Sequence, residues 1–263
     1  MIRISKNSIK RLVTGAISLL VALAIWLILS FLVNSEFLFP SPALVFKEVG
    51  VYLVTPSFYA ALFSTLVKIL ISFIVALVAA VALAFLSAKV KVAEYALYPF
   101  IVIARAAPTV SVVFICLLWF SSRVSPMIVA FLVIFPILYT SALTGIRGVD
   151  GKLVEMASAF KVKRADVIKK LYLPSLFSRL YSDSVSTLSL NVKLVIAAES
   201  WAYQVNNNLG TLITQVKSDL ETAKLFAITV LAILLSFALE LLLRLIRAVI
   251  LKIVERSRLC RSL

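Results

Sequence analysis

The chain has 263 residues, 62% of them hydrophobic and 15% charged, with a mean hydropathy of +1.09. Soluble domains are nearer half apolar and a quarter charged, so this composition excludes an ordinary soluble domain and points to a chain solvated mostly by lipid. The net charge of +15 would suit nucleic acid, but the aromatic residues sit inside apolar runs and not among the basic ones, so it is read as basic loops facing the cytoplasm, with no nucleic-acid partner.

A membrane-crossing helix needs about 20 mostly apolar residues. Six stretches qualify: 12–33, 59–88, 98–120, 127–146, 184–205 and 223–247. The first follows a basic N-terminus, as a signal peptide would, but its apolar run is too long and ends in Asn34-Ser35-Glu36, so it reads as a retained span. Ser41-Pro42 is a serine N-cap with proline at the first helical position, which predicts a short helix toward Val54 on the outer side. The third span, 98–120, contains Pro108. Near its inner end it carries Arg105, for which structural pairing, headgroup contact and a translocation role stay open. A second outer segment follows the fifth span, with a turn at Asn206-Asn207-Asn208 and Leu209-Gly210, then Leu212, Ile213 and Val216 at helical spacing. With the N-terminus inside, 20 lysines and arginines flank the spans on the inner side and four on the outer, which puts both termini in the cytoplasm. No repeat or linker divides the chain, so residues 1–263 read as one integral membrane domain.

Segment 147–183 is the longest interruption between spans. Leu153, Met156, Ala157 and Phe160 share one helical face, Lys161-Val162-Lys163-Arg164 interrupts it, and Val167, Ile168 and Leu171 form a second stripe that Pro174 ends or kinks. Two short amphipathic helices with an elbow are predicted on the cytoplasmic side. Periodicity and charge alone leave two roles open: resting on anionic headgroups, or filling a groove on a protein partner.

Charges inside spans are costly and call for partners or a function. Lys68 is expected to snorkel to the outer surface. Lys193 and Glu199 are six residues apart, so they face different directions and do not pair within one helix. Each needs a partner on another helix, on a second permease copy or in an aqueous cavity, so structural pairing and a pathway role both stay open. As candidate pathway residues they would share a cavity with Asn191, Ser189 and Trp201, where Lys193 would suit an anionic solute. The chain has no histidine, two isolated cysteines (Cys116 and Cys260), no Gly-rich phosphate loop and no paired carboxylates at one depth. No enzyme activity, cofactor or metal is therefore expected.

The inner loop carries a resemblance. Glu155-Met156-Ala157, three residues, Lys161, nine residues, then Leu171-Tyr172-Leu173-Pro174 resembles the EAA loop of ABC importer permeases, which reads Glu-Ala-Ala, three residues, Gly, nine residues, Ile-x-Leu-Pro. Lys161 stands where the family has glycine, so the elbow either takes a different backbone or the helix continues through it. Phe39-Pro40-Ser41-Pro42, Arg105-Ala106-Ala107-Pro108 with Trp119-Phe120, Phe135-Pro136, Val149-Asp150, Ala198-Glu199 and Leu209-Gly210 extend the similarity over residues 39–210. They point to the taurine, alkanesulfonate and nitrate permease group, which also includes transporters for thiamine precursors and riboflavin. The resemblance implies an all-α, six-span type I importer permease fold, a second permease copy, ATP-binding cassette ATPase subunits and an extracytoplasmic solute-binding protein. It implies that Glu155, Ala157, Phe160, Lys161, Lys163, Arg164, Leu171, Leu173 and Pro174 form the ATPase-coupling element. A membrane-embedded docking protein that binds a partner without moving a solute is the alternative.

Overall fold

A computed structural model describes residues 6–202 and 207–259, and the side chains of 10, 13–202 and 207–249. The end of the fifth expected span at 203–205, Asn206 and Cys260 lie outside the described residues, as do Arg3 and Arg261. The described residues form helices joined by turns and short extended links, with no strand among them. The helices are α1 (Lys6–Val33), α2 (Pro42–Val54), α3 (Pro56–Lys89), α4 (Lys91–Ala106), α5 (Thr109–Trp119), α6 (Ser125–Arg147), α7 (Gly151–Ala159), α8 (Arg164–Val167), α9 (Leu173–Trp201), α10 (Leu209–Ser218) and α11 (Thr222–Leu259).

Segments Val13–Val33, Pro56–Lys89, Ser125–Arg147 and Thr222–Val249 are long and apolar enough to cross a membrane. The expected span at 98–120 falls on two helices, α4 and α5, bent by 106°. Pro108 is the cause. Its ring disfavours helical geometry at the preceding residue, and Ala107 is extended at φ −65° and ψ 130°. The stretch expected at 184–205 belongs to α9, which is less apolar than the other long helices for a reason given below.

Helix α6 lies between α3 and α9, and this trio forms the core. On α3, Ala76, Ala80 and Ala84 recur every four residues and are fully buried. Small residues at that spacing let helix backbones approach closely where lipid gives no hydrophobic drive to association. The Tyr139 hydroxyl of α6 donates to the Ser87 hydroxyl of α3 at 2.8 Å. Further toward the same end of α6, the Ser175 hydroxyl of α9 donates to the Gly145 carbonyl at 2.7 Å. A Cβ on Gly145 would stand 3.0 Å from the Leu176 backbone, so glycine is what permits that approach.

The expected helix after Ser41 is present. The Ser41 hydroxyl accepts from the Leu44 amide at 3.3 Å, Pro42 opens α2, and the helix ends at Val54. It packs on α11. The segment before it is pinned by the Trp26 indole donating to the Pro40 carbonyl at 3.1 Å and by an edge-on Phe39–Phe226 contact.

Candidate functional site

Helix α7 begins where Asp150 caps it, its carboxylate accepting from the Lys152 amide at 2.9 Å. It ends in a tight double turn. The Val162 amide donates to the Ala157 carbonyl at 2.9 Å and the Lys161 amide to the Ser158 carbonyl at 3.0 Å. This pair of bonds is the Schellman termination, which puts the residue after the C-cap in the left-handed region. That residue is Lys161, at φ 52°. The two expectations for this elbow are thus both corrected. The helix stops, and it stops with the turn a glycine would make, because the two hydrogen bonds hold the lysine backbone in a conformation L-residues disfavour.

Pro174 does not end the following helix. From Arg164 the chain stays helical into α9, passing through one wide turn at Ile168–Tyr172. There the Leu173 amide reaches back five residues to the Ile168 carbonyl. Pro174 has no amide to donate and would crowd the carbonyl four residues earlier, and the wide turn just before it accommodates both deficits without a break.

On α7 the predicted apolar face is mostly uncovered. Phe160 is 77% exposed, with Leu153 and Met156 also exposed. Glu155, Lys161, Lys163 and Arg164 surround it in the open. Ala157 is buried against its own chain and is not offered to a partner. Leu171 and Leu173 are half-buried and Pro174 is exposed.

The membrane charges are arranged differently from expectation. Lys68 does not snorkel. Its ammonium pairs with the Glu199 carboxylate at 2.6 Å, joining α3 to α9. Glu199 is fully buried and also accepts from the Thr65 hydroxyl at 2.8 Å and the Gly210 amide at 3.3 Å. Thr65 in turn accepts from the Leu209 amide at 3.0 Å. One carboxylate therefore ties together α3, the end of α9 and the first turn of α10. Gly210 is obligatory here, since a Cβ would fall 2.2 Å from the Glu199 Cβ. Helix α10 is further fixed by a capping box between Asn208 and Thr211.

Asn191 is also fully buried; its amide donates to the Ile69 carbonyl at 2.8 Å and its carbonyl accepts from Ser72 at 3.2 Å. Glu199 and Asn191 thus belong to the helix-packing interior and do not line an open face with Lys193 and Trp201. The reason is angular: both sit on the side of α9 turned to α3, the opposite side from Lys193. Ser189 is half-buried and donates to Glu240 of α11.

Lys193 and Trp201 are exposed, on a stripe of α9 that includes Ser182, Ser186 and Ala197. The exposed faces of α3 and α11 are made of large apolar residues such as Phe63, Ile74 and Val78, or Leu234, Phe237 and Leu241. On α9 the exposed stripe is small, polar or charged instead, and this lowers its hydropathy. Near the top of the stripe Trp201 meets Phe114 of α5 edge-on, ring centroids 5.2 Å apart. Those two rings, with Leu117, Leu118 and Ser122, line an open hollow of about 340 Å³. Sequence reasoning missed the Lys68–Glu199 pair and the role of α5. The first was signalled by a lysine and a glutamate in different spans each lacking a partner, the second by Pro108.

A polytopic helical bundle with a sharply bent helix pair and an exposed amphipathic helix between two of its long core helices is the architecture of a type I ABC transporter permease. The profile of the family described as binding-protein-dependent transport system inner membrane component matches residues 80–252, and the chain belongs to that family. A solved structure described as an amino acid ABC transporter with histidines has the same fold, with a TM-score of 0.60 and 13% identity over 76% of this chain and 95% of that one. No curated protein sequence matches the chain. The protein is thus a membrane-embedded, non-enzymatic permease component of an ABC importer, a class that works with ATPase and binding-protein partners.

Proposed function

We propose that the chain, as one domain with six spans and both termini in the cytoplasm, forms the translocation pathway for a small anionic solute handed over by an extracytoplasmic binding protein. The observation that carries this reading is the stripe on α9. A lysine facing lipid at mid-helix is costly, whereas a lysine facing a water-filled path is not. The stripe of Ser182, Ser186, Lys193, Ala197 and Trp201 suits such a path, completed by a second copy of the chain. A docking protein that moves no solute would have use for an exposed α7 but not for this stripe. Helix α9 counts as the fifth span and the α4–α5 pair as a broken third. The motif spacing favours the taurine, alkanesulfonate and nitrate permease group.

Helix α7 is the coupling element in this reading. Its exposed Phe160, Met156 and Leu153 fill a groove on the ATPase, while Lys161, Lys163 and Arg164 meet acidic groups on the rim. Leu171, Leu173 and Pro174 then join the coupling element to α9, with Glu155 on the exposed side of α7. Large anchors at the centre of such contacts carry most of the affinity, so Phe160→Asp or Glu155→Ala with Phe160→Ala is expected to weaken ATPase binding roughly 10-fold or more. Bulk at Ala157 acts by displacing α7 from its own protomer. Co-purification of the ATPase with the chain from its native membrane, followed by ATP hydrolysis and uptake in proteoliposomes, tests the assignment. Unchanged coupled rates in these variants would sink it. Lys193→Met is expected to lower uptake of anions such as sulfonates while ATPase binding persists.

A further inference from the structure

Helix α4 is attached to α6 by two polar rungs. Near the start of α4 the Glu94 carboxylate receives both guanidinium nitrogens of Arg147, at 2.7 and 2.5 Å. Eleven residues further on, the Arg105 guanidinium donates to the Pro136 carbonyl at 3.2 Å and to the Thr140 hydroxyl at 2.5 Å. On α6 the rungs are 7 to 11 residues apart, from Thr140 or Pro136 to Arg147. At 1.5 Å per residue that is about 10–16 Å, against about 16 Å on α4, so the two helices run antiparallel alongside each other. A bidentate pair resists rotation as well as separation, which makes the lower rung stiff even though it is partly exposed.

The location of that rung matters. Arg147 is the last residue of α6, and three residues later Asp150 caps α7. At its far end α4 reaches the Ala107-Pro108 break and turns into α5, which carries Phe114 and Leu118 to the hollow. The other end of α7 leads through the Lys161 turn and the wide turn into α9, which carries Trp201 to the same hollow. Helix α7 therefore has two arms, and they meet again at the Phe114–Trp201 contact.

We infer that Glu94, Arg147, Arg105 and Thr140 are positioning residues that transmit displacement of α7 through α4 to α5, so that ATP-driven movement opens or closes the α5–α9 hollow. The inference rests on α7 being the coupling element. Besides the rungs, α4 is held by apolar packing of Ile101 and Leu97 in the core, which does not fix it against sliding, so without the rungs α5 would lag when α7 moves.

The test uses the transporter purified with its ATPase in lipid nanodiscs, with Cys116 and Cys260 replaced by serine and Leu118→Cys as reporter. Leu118 is 83% exposed at the hollow, so its thiol reacts with a water-soluble maleimide at a rate set by access. The rate is measured with and without ATP plus vanadate. Mutations along a transmission path change coupling by about 2- to 30-fold. The parent is expected to show an ATP-dependent change in rate within that range. Glu94→Gln and Arg147→Gln should bring the ratio close to one, and Thr140→Val should reduce it. The exchanged pair Glu94→Arg with Arg147→Glu, which rebuilds the rung, should recover it, with melting temperature followed in every variant. If the parent responds and Glu94→Gln responds equally, or if the exchanged pair is folded and stays unresponsive, the inference is overturned while the coupling reading stands. A parent with no ATP response overturns both.

Discussion

Lys161 illustrates how a single residue can be held against its own preference. The Schellman bonds on either side keep it at φ 52°, a conformation that costs a β-carbon-bearing residue about 1 kcal/mol relative to glycine. Lys161→Gly should therefore raise stability by up to about 1 kcal/mol, offset in part by the greater freedom of glycine in the unfolded chain, and thermal unfolding in detergent measures it. A drop in melting temperature would show that the lysine side chain contributes contacts not visible in the protomer. Lys68 and Glu199 give the opposite case, where each residue depends on the other. Lys68→Met alone leaves a buried carboxylate with no counter-charge and is expected to cost about 3–5 kcal/mol. Adding Glu199→Gln removes the orphan charge and should restore much of the loss, since the glutamine carbonyl still accepts from Thr65 or Gly210. A double variant no more stable than Lys68→Met would mean that the charges do not interact as the 2.6 Å separation implies.

At the scale of elements, the sequence was most legible where a local rule acted alone. Ser41-Pro42 announced α2, and the capping residue and the last residue both fell where expected. Hydropathy marked 98–120 as apolar throughout but averages over Pro108, and averaging hides a bend that one proline makes. Pro174 misled in the other direction. A wide turn before it absorbed the missing amide, and nothing in residue type distinguishes that outcome from a kink. The pairing of Lys68 with Glu199 was beyond local rules, because it depends on which helices become neighbours. The α3–α6 contact makes a separate prediction. Ala80 is fully buried in the alanine row, so Ala80→Leu must push α6 away, at a cost of about 1–3 kcal/mol or more, whereas Val78→Leu on the exposed face should be near neutral. Comparable melting temperatures for the two would contradict the packing described.

For the whole molecule, the contrast between helix faces divides surface that meets lipid from surface that does not. Cysteines placed singly at Ser186, Lys193 and Ala197 should react with a charged, membrane-impermeant thiol reagent, and cysteines at Phe63, Ile74 and Val78 should not. Equal labelling of both sets would remove the basis for a water-filled path along α9. This division was only half legible in the sequence. Lys193, Trp201, Asn191 and Glu199 were grouped together, whereas Asn191 and Glu199 are buried and Lys193 and Trp201 exposed, since residue type shows that a group is polar and not which neighbour will cover it.

The Lys68–Glu199 pair also constrains how the chain enters its membrane. The partners are 131 residues apart in sequence. At ribosomal speeds of about 5–20 residues per second, α3 emerges roughly 7–26 s before the glutamate is made. During that interval the lysine has no counter-ion, and a lysine at mid-span costs about 2.5–3.5 kcal/mol on the insertion scale. Each leucine, isoleucine, phenylalanine or valine returns about 0.3–0.6 kcal/mol, so a row of such residues outweighs one lysine. The 34-residue length of α3, and the mean hydropathy of 3.1 over its most apolar 18 residues, are then more than a means of crossing the bilayer. They let the translocon accept a charged segment on credit of its neighbours alone, before the rest of the protein exists to receive it.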